Sequence, residues 1–263
     1  MNVASFDRRD LVMLMSLFRM NLGDRFLGSS LGLVWAVLSP LMLMGIFCFV
    51  FTFVFPGRLP GKSDSHSYLI WLVSGYGPWL AVNEGLMSAT SSVVSNTGVV
   101  KNIAFKSEIL PIVGALMGLV PLGVGLVVIL ALQVVGGEAP KWTLVLLPFV
   151  LAIQLLFISG IGLFLSALNV FVRDTALILP NCLTMILFAS PIFYNLSAYP
   201  APIRAFLVYN PVYIIAELYR VIVVDGTLPP TWMVIYMTVL SVCAFAGGLW
   251  WFRRLKSFFD TRL

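Results

Sequence analysis

The stretch most suggestive of chemistry is Gly61-Lys62-Ser63, which is similar to the end of a phosphate-binding P-loop. A P-loop needs a further glycine at position 56, and this chain has Pro56 there. The segment also lacks the strand before it and the helix after it that would hold a nucleotide, and it is predicted to face outward. The sequence therefore does not predict a nucleotide site in this chain.

Residues for acid-base or metal chemistry are scattered through the sequence. His66 is its one histidine, and no paired carboxylates or His/Arg clusters occur, as a membrane glycosyltransferase or phosphatase would need. Cys48, Cys182 and Cys243 lie inside apolar runs, without a C-x-x-C pattern or a nearby histidine cluster. We therefore predict no catalytic residue, no metal site and no cofactor in this chain.

Glu84 is the acidic residue that falls inside a predicted membrane span. A carboxylate within a membrane indicates a functional site by default. The alternative is a pairing with Lys101 or with an arginine at the inner interface, since long spans often end in the interfacial layer. The sequence leaves both interpretations open.

The composition sets the environment in which these residues lie. At 60% hydrophobic residues, 10% charged residues and a mean hydropathy of +1.01, the chain is not a soluble domain, whose charged fraction is about 25%. Continuous apolar runs favour helices over a β-barrel. The net charge of +5 follows the ends of membrane segments, so no nucleic-acid partner is predicted. We expect an all-α integral membrane protein without a removable signal peptide.

Six transmembrane helices are predicted, and the basic residues orient them. Eleven of the 16 Lys and Arg residues fall on one side, which the positive-inside rule assigns to the cytoplasm together with both termini. Arg58, Lys62, Lys141, Arg204 and Arg220 fall outside. The predicted spans cover residues 31–55, 68–97, 109–135, 142–169, 176–194 and 231–252.

The chain is predicted to be a single transmembrane domain, residues 1–263, that starts along the membrane surface. Residues 10–22 are too short to cross, since about 20 apolar residues are needed, and they indicate an interfacial amphipathic helix within a cytoplasmic segment, residues 1–30. Spans one to five occupy residues 31–194. Residues 231–263 hold span six and a cytoplasmic tail.

Residues 195–230 interrupt the pattern of spans. They are rich in proline and semi-apolar, and they predict two short helices, near residues 202–208 and 211–224. These helices are too short to cross a membrane and too apolar for a free loop, so we expect re-entrant or interfacial helices on the outer side.

Span two contains Gly75, Gly77 and Pro78. These residues predict a kink or a local break in its helix.

Five stretches occur in a fixed order around the six predicted spans: residues 31–41 (LGLVWAVLSPL), 101–111, 166–174 (SALNVFVRD), 190–194 (SPIFY) and 210–211 (NP). Together they resemble the ABC-2 type permeases of polysaccharide exporters, which move O-antigen, capsule or teichoic acid chains. One departure is Phe105-Lys106-Ser107-Glu108, where the family usually has Phe-Pro-Arg-Glu.

The resemblance implies a bacterial inner-membrane subunit that exports a lipid-linked polysaccharide. It implies a homodimer and two separate ATP-binding-cassette ATPase subunits, which would hold ATP and Mg. The two short helices after Tyr194 would form an outer gate. The residues implied in coupling to the ATPase are Asp10, Arg19, Arg25, Lys101, Asn102, Phe105, Lys106, Glu108, Arg173 and Asp174.

Aromatic rings would suit a sliding sugar chain, because they stack on sugar rings weakly and repeatedly. The alternative is that these rings face lipid or neighbouring helices. The candidate channel residues are Trp35, Phe47 and Phe51 in span one, and Phe188, Phe193 and Tyr194 in span five.

Two glycine pairs, Gly28/Gly32 and Gly114/Gly118, have a spacing that permits close approach of helices. By default, we expect this packing to be within one subunit.

Other functions remain open at this point. An ABC-2 type exporter of another glycan, or of a small lipid or drug, has the same sequence pattern. A membrane enzyme lacks its catalytic groups, as argued above. A structural anchor or receptor is disfavoured by the gate-like helices.

Overall fold

The computed structural model describes residues 8–54, 65–98 and 106–262, and these segments hold helices and turns with no β-strand among them. The predicted all-α class is confirmed. Short 3₁₀ or π-helical turns continue several helices. The α-helices of the described segments are α1 (Arg8–Asp24), α2 (Val34–Phe49), α3 (Ser65–Ser95), α4 (Ile109–Leu116), α5 (Leu119–Val135), α6 (Leu147–Phe171), α7 (Asp174–Ala189), α8 (Ala201–Leu207), α9 (Pro211–Arg220) and α10 (Thr231–Leu255).

Several helices are long and apolar enough to cross a membrane. In the described part of the chain four segments qualify, and α8 with the helix that follows it makes a fifth if this pair, bent by 80°, is one span. The exact number of six stays a prediction, because α3 and the 16-residue α7 do not qualify by length and composition. The four segments are Val34–Val54, Ile109–Val135, Trp142–Phe171 and Thr231–Phe259.

Helix α3 lies at the centre of the bundle, where it packs against α4, α5, α6 and α9. Leu72, Val73 and Ala89 on it are fully buried. A helix enclosed by protein needs no continuous apolar surface towards lipid, and its polar residues face the bundle or a water-filled cleft. This position explains why α3 carries Asn83, Glu84 and a run of serines and still belongs to a membrane bundle.

Helix α3 is continuous through Gly75, Gly77 and Pro78, so the predicted local break is absent. The glycines serve packing instead. A Cβ at Gly77 would lie 3.6 Å from the Cα of Gly125 on α5, and one at Gly75 would lie within 2.4 Å of the Arg220 guanidinium. These close approaches explain why glycine stands at both positions, and a kink at Pro78 stays a prediction.

The two glycine pairs have different roles. Gly28 and Gly32 have positive φ angles of 81° and 50° and no neighbour near a Cβ, so they form the turn between α1 and α2 and no close helix contact. Gly114 and Gly118 pack α4 onto α3: a Cβ there would lie 2.4 Å from the Cα of Ala89 and 2.3 Å from the oxygen of Ala81. For this pair, packing within one subunit is confirmed.

The end of α7 differs from the prediction in one respect. Helix α7 ends at Ala189, and Ser190 has extended backbone with ψ of 144°, because Pro191 disfavours a helical residue before it. Phe193 and Tyr194 therefore lie after the helix and not within span five. Helices α8 and α9 occupy the two places where short helices are predicted.

Candidate functional site

Phe193 is the centre of a group of aromatic side chains beside α2 and α3. It is 1% exposed, and its ring stacks on Phe47 at 4.7 Å with an interplanar angle of 13° and on Phe51 at 4.9 Å with 16°. Tyr76 of α3 lies 5.5 Å away. Phe188 is 6.2 Å from Phe193, and Tyr194 meets Phe51 edge-on at 5.6 Å. We call these six residues the aromatic cluster.

The aromatic cluster contains five of the six predicted channel residues. Trp35 is apart from it, in a pocket with Arg25 and Glu84. Within the cluster, Phe51 and Phe193 are buried, whereas Phe188 is 53% exposed and Tyr194 48% exposed. Phe188 and Tyr194 therefore present ring surface outside this chain, and the buried rings support them.

The segment that carries Phe193 is held by side chains from two other helices. The guanidinium of Arg220 donates to the carbonyl oxygens of Pro191 at 3.3 Å and Ile192 at 2.6 Å. The hydroxyl of Tyr68 donates to the carbonyl of Phe193 at 3.1 Å. Three consecutive carbonyls beyond the end of α7 thus accept hydrogen bonds from side chains.

Arg220 is a buried cation that was not among the predicted site residues. It is 2% exposed and lies 3.7 Å above the ring of Trp71, and its predicted outer side stays a prediction. Gly75 leaves the space for its guanidinium, and Glu217 supplies a carboxylate at 3.3 Å. The i,i+3 spacing of Glu217 and Arg220 inside an apolar run is the signal in the sequence for an ion pair on α9, in which Arg220 is buried and Glu217 is partly exposed.

Two stretches that carry the family resemblance meet at this end of the bundle. The side-chain amide of Asn210 donates to the hydroxyl of Ser190 at 2.8 Å. Its oxygen accepts from the backbone N–H of Val212 at 2.9 Å and so caps α9. The start of α9 is thereby tied to the end of α7.

At the opposite end, ion pairs join α1, the start of α4 and the end of α10. Lys106 and Asp10 are 2.7 Å apart, and both side chains are largely buried. Glu108, 1% exposed, accepts from Arg253 at 3.3 Å and from Lys256 at 3.1 Å. Three of the predicted coupling residues thus belong to ion pairs between different helices.

Arg25 and Glu84 form a two-point ion pair that joins the α1–α2 turn to α3. The second of its contacts, between Nη2 and Oε2, is 3.0 Å. Of the two interpretations of Glu84, this geometry matches pairing with an arginine. Lys101, Asn102 and Phe105 fall outside the described residues.

The corner between α6 and α7 displays two further predicted coupling residues. Arg173 and Asp174 are exposed there. Asn169, buried, donates to the carbonyl of Thr90 at 3.1 Å and accepts from the backbone of Ala176 at 3.3 Å. The corner is therefore fixed against α3. A further predicted coupling residue, Arg19, is exposed on α1 and does not belong to this corner.

The described residues contain no group of three or more His, Cys, Asp or Glu side chains placed to hold a metal ion. The side chains that are placed together form either aromatic stacks or ion pairs. Exposed aromatic rings of this kind suit flat ring faces such as those of sugars, and ion pairs between helices fix the position of one helix against another.

Comparisons with known proteins match most of the chain. A family model described as ABC-2 type transporter matches residues 13–224. The chain is 28% identical over 232 residues to a Myxococcus xanthus protein named O-antigen export system permease protein RfbA, covering 88% of this chain and 87% of that protein. A Klebsiella pneumoniae protein of the same name is 25% identical over 236 residues, with 88% and 87% covered.

Proposed function

This chain belongs to the ABC-2 type transporter family, and on that premise we propose that it is the permease subunit of an O-antigen exporter. It would move a lipid-linked polysaccharide across the bacterial inner membrane as a homodimer. One observation carries the proposal: the similarity to proteins named O-antigen export permeases extends over 88% of this chain and 87% of theirs. The family's members are membrane transport subunits and not enzymes.

The energy would come from two separate ATPase subunits that hold ATP and Mg. The ion pairs of Asp10 with Lys106 and of Glu108 with Arg253 and Lys256 support this, because they tie α1 and the chain's last helix to the start of α4. Such a connected end can pass a push from below to several helices at once. Arg19, Arg173 and Asp174, exposed nearby in the chain's predicted cytoplasmic segments, would meet the ATPase.

We further propose six crossings with α8 and α9 as an outer gate that does not cross. Contacts at the middle and at the far end of this bent pair support that topology. Asn210 at its middle binds Ser190, and at its far end the carbonyls of Ile222 and Val223 accept from Thr143 and Gln133. These partners flank the loop before α6 and the end of α7, both assigned to the outer side.

The aromatic cluster would line the polymer's path through its two exposed rings. Phe188 and Tyr194 offer flat faces, on which sugar rings stack with weak contacts that are readily exchanged. A second copy of the chain would supply the opposite wall of this path.

Helix α1 would lie along the inner membrane surface. Its exposed side chains Leu11, Val12 and Met15 would insert into the acyl layer of the membrane and hold the helix there.

The test is complementation in a strain from which this gene is deleted. The wild-type chain should restore polysaccharide at the cell surface, detected by gel and by lectin or antibody binding, and should co-purify with the ATPase encoded beside it. A partner ATPase with its P-loop lysine replaced is the control that should block export. Surface polysaccharide that is unchanged in the deletion strain, or restored export without any ATPase, contradicts the proposal.

A further inference from the structure

An apolar pocket lies between the first turns of α6 and α10 and the end of α9. Its volume is about 280 Å³, just below the range of about 300–1,000 Å³ that is typical of small-molecule sites. Of the ten described residues that line it, Thr231 alone has a polar side chain. The pocket therefore suits a slender hydrocarbon group. We call it the α6–α10 pocket, and its lining includes Val150, Ile153, Leu218, Ile222, Leu228 and Thr231.

The floor of the α6–α10 pocket is buried, whereas its mouth is open. Val150, Ile153 and Ile222 on the floor are 2%, 6% and 0% exposed. At the mouth, Phe149 is 50% exposed and Leu228 is 64% exposed. A molecule that reaches the floor must therefore come from outside this chain and pass these exposed apolar side chains.

Hydrogen bonds behind the floor fix it in place. Ile222 and Val223 belong to the π-helical turn Val221–Asp225, which continues α9. Their carbonyl oxygens accept hydrogen bonds from the buried side chains of Thr143 and Gln133. The turn cannot move in to close the pocket without leaving buried polar groups unpaired, which is costly. If the pocket stayed empty, its lining would lack contacts on one side.

The α6–α10 pocket opens at the level of acyl chains, near one membrane surface. It lies at the start of the membrane-spanning segments Trp142–Phe171 and Thr231–Phe259. Ile153 is about 9 Å along α6 from its first residue, within a hydrocarbon layer about 30 Å thick. Trp142 and Trp232, both exposed at the ends of these segments, are residues typical of the membrane interface. In the proposed topology this is the outer surface.

The surroundings of the mouth favour hydrocarbon from the membrane as the occupant. Water finds no hydrogen-bond partners against aliphatic walls. Next to the pocket, exposed apolar residues continue along α10 at helical spacing, so the mouth opens onto a surface suited to acyl chains. The proposed second copy of the chain meets the aromatic cluster, and the described lining of the pocket shares no residue with that cluster. The exposed residues of α10 are Ile235, Val239 and Val242.

Charges of both signs lie beside the loop that carries Leu228. A Cβ on Gly226 in this loop would lie 3.0 Å from the Cδ of Lys141, so the lysine packs against the loop. Its ammonium group is 3.5 Å from the carboxylate of Glu138. Such a pair gives an anionic head group no net attraction. The acyl chain, and not the head group, is therefore the part of a lipid that this pocket recognises.

We propose that the α6–α10 pocket binds one acyl chain of a phospholipid from the adjoining membrane leaflet. This inference goes beyond the export function and needs the proposed topology only to name the leaflet as the outer one. The chain would enter past Phe149 and Leu228 and lie against Ile153 and Ile222. Because Leu218 and Ile222 belong to α9 and its π-helical turn, the lipid would form part of the wall on which α9 rests.

The test uses the full chain in phosphatidylcholine nanodiscs that contain a small share of phosphatidylcholine with a diazirine in the upper half of one acyl chain. After illumination we expect cross-links, located by tandem mass spectrometry, at Ile153 or Ile222, which a lipid reaches only inside the pocket. Phe164, 40% exposed and about 26 Å along α6 from its start, is the positive control. Acyl chains of the opposite leaflet reach it directly.

Labelling of Phe164 without labelling of Ile153 or Ile222 overturns the lipid site. This outcome would mean that the pocket is empty or is filled by a second copy of the chain.

Substitutions separate the α6–α10 pocket from general contact with lipid. Val234→Phe places a ring in the pocket, and labelling at Ile153 and Ile222 should fall more than about tenfold, because displacing two buried methylene groups already corresponds to that factor. Thr231→Phe covers the mouth from an exposed position and should act in the same direction. It keeps the test decisive where Val234→Phe does not fold.

The matched control is Val239→Phe, which adds the same ring on the exposed side of α10 and should leave labelling of the pocket unchanged. Wild-type labelling of Ile153 and Ile222 in both pocket variants overturns the proposal.

The labelling assay needs neither ATP nor polysaccharide, so its result is separate from that of complementation. A chain that is labelled in the pocket but does not support export contradicts the proposed function alone. A chain that exports polysaccharide but is not labelled in the pocket contradicts the lipid site alone.

Discussion

Arg220 donates hydrogen bonds to two backbone carbonyl groups in the segment that follows α7. Replacing it by Met removes its hydrogen bonds to Pro191 and Ile192 and leaves buried acceptors unpaired. We expect the free energy of unfolding to fall by about 2–4 kcal/mol. The thermal midpoint in detergent, followed by a thiol-reactive dye, should drop by about 5–15 °C.

The matched control for this change is Arg204→Met, because Arg204 is exposed on α8. Its midpoint should stay within about 2 °C of the wild type, as is usual for surface positions. Arg220→Lys should behave like Arg220→Met, since an ammonium cannot reproduce the planar fork stacked on Trp71. Equal midpoints for the Arg204 and Arg220 variants would refute the role of Arg220 in holding this segment.

The exposed and buried rings of the aromatic cluster predict different phenotypes. Changing Phe188 and Tyr194 together to Ala removes exposed ring surface, so export should fall by about fivefold or more while protein levels stay normal. Phe193→Ala instead creates a cavity in the packed core and should cost about 3–5 kcal/mol of stability. Surface polysaccharide and the thermal midpoint are the two measurements.

The control for the double change is Phe164→Ala on α6, 40% exposed and outside the aromatic cluster. It should leave both export and stability close to wild type. A double variant that exports normally would show that the exposed rings do not contact the polymer. A Phe193 variant of normal stability would show that the stacking contributes little.

At this scale the sequence indicates residue types but not distances. Five of the predicted aromatics converge because α2 and the segment after α7 pack on the same face of α3. Trp35 is an aromatic residue of α2 like Phe47, but it lies about 18 Å away along the helix axis, in the pocket with Arg25 and Glu84. The positive-inside rule gives Arg220 a side of the membrane but not its burial, so its contacts with Trp71 and Glu217 follow only from the packing of α9 against α3.

Helices α6 and α10 cross at two glycines, and this crossing sets their separation. A Cβ at Gly248 would lie 2.1 Å from the carbonyl oxygen of Gly160, whereas one at the adjacent Gly247 would meet nothing within 4 Å. Gly248→Ile should therefore force the helices apart and cost about 1–3 kcal/mol or more. The yield of monodisperse protein in gel filtration should fall severalfold.

The matched control is Gly247→Ile, which adds the same side chain one residue away, where there is open space. It should purify like the wild type, with helix propensity slightly improved. Similar losses in both variants would indicate a general intolerance of bulk in α10 and not a specific crossing.

The Asp10–Lys106 pair joins α1 to the chain just before α4, and it can be tested by charge exchange. Asp10→Lys or Lys106→Asp alone places like charges 2.7 Å apart in a largely buried setting, so export should fall. The double exchange restores opposite charges and should recover much of the loss. The coupling energy from the four thermal midpoints should be about 0.5–3 kcal/mol.

The control pair is Glu138–Lys141, which is 3.5 Å apart and about one-third exposed on both sides. Single reversals there should change stability by less than about 0.5 kcal/mol, because surface pairs are weak. Additive effects of the Asp10 and Lys106 changes would mean that the pair does not link α1 to α4.

The sequence predicts the elements well where apolar length determines them. The predicted start of span four at residue 142 and of span six at residue 231 agree with Trp142–Phe171 and Thr231–Phe259. Span five ends five residues before its predicted limit of 194, at Ala189, because the segment after it is apolar without being helical. Helix α3 carries a weak hydropathy signal because neighbouring helices, and not lipid, cover most of it.

On the scale of the whole molecule, the number of crossings decides whether the two ends of the chain lie on the same side. Six crossings leave Ser29, in the α1–α2 turn, and Arg262 on the same side. With α8 and α9 as one span and α3 and α7 not crossing, there are five crossings, and these residues lie on opposite sides. The contacts of Ile222 and Val223 with Thr143 and Gln133 favour six.

This difference is measurable with single cysteines, after Cys48, Cys182 and Cys243 are changed to Ser. We expect a membrane-impermeant maleimide added to spheroplasts to label Ala139→Cys and Thr227→Cys, both exposed in the outer loops. Ser29→Cys and Arg262→Cys should react only after the membrane is permeabilised, since both would be cytoplasmic. Labelling of Arg262→Cys in intact spheroplasts while Ser29→Cys stays protected would establish an odd number of crossings, and α8 with α9 would then be a span and not a gate.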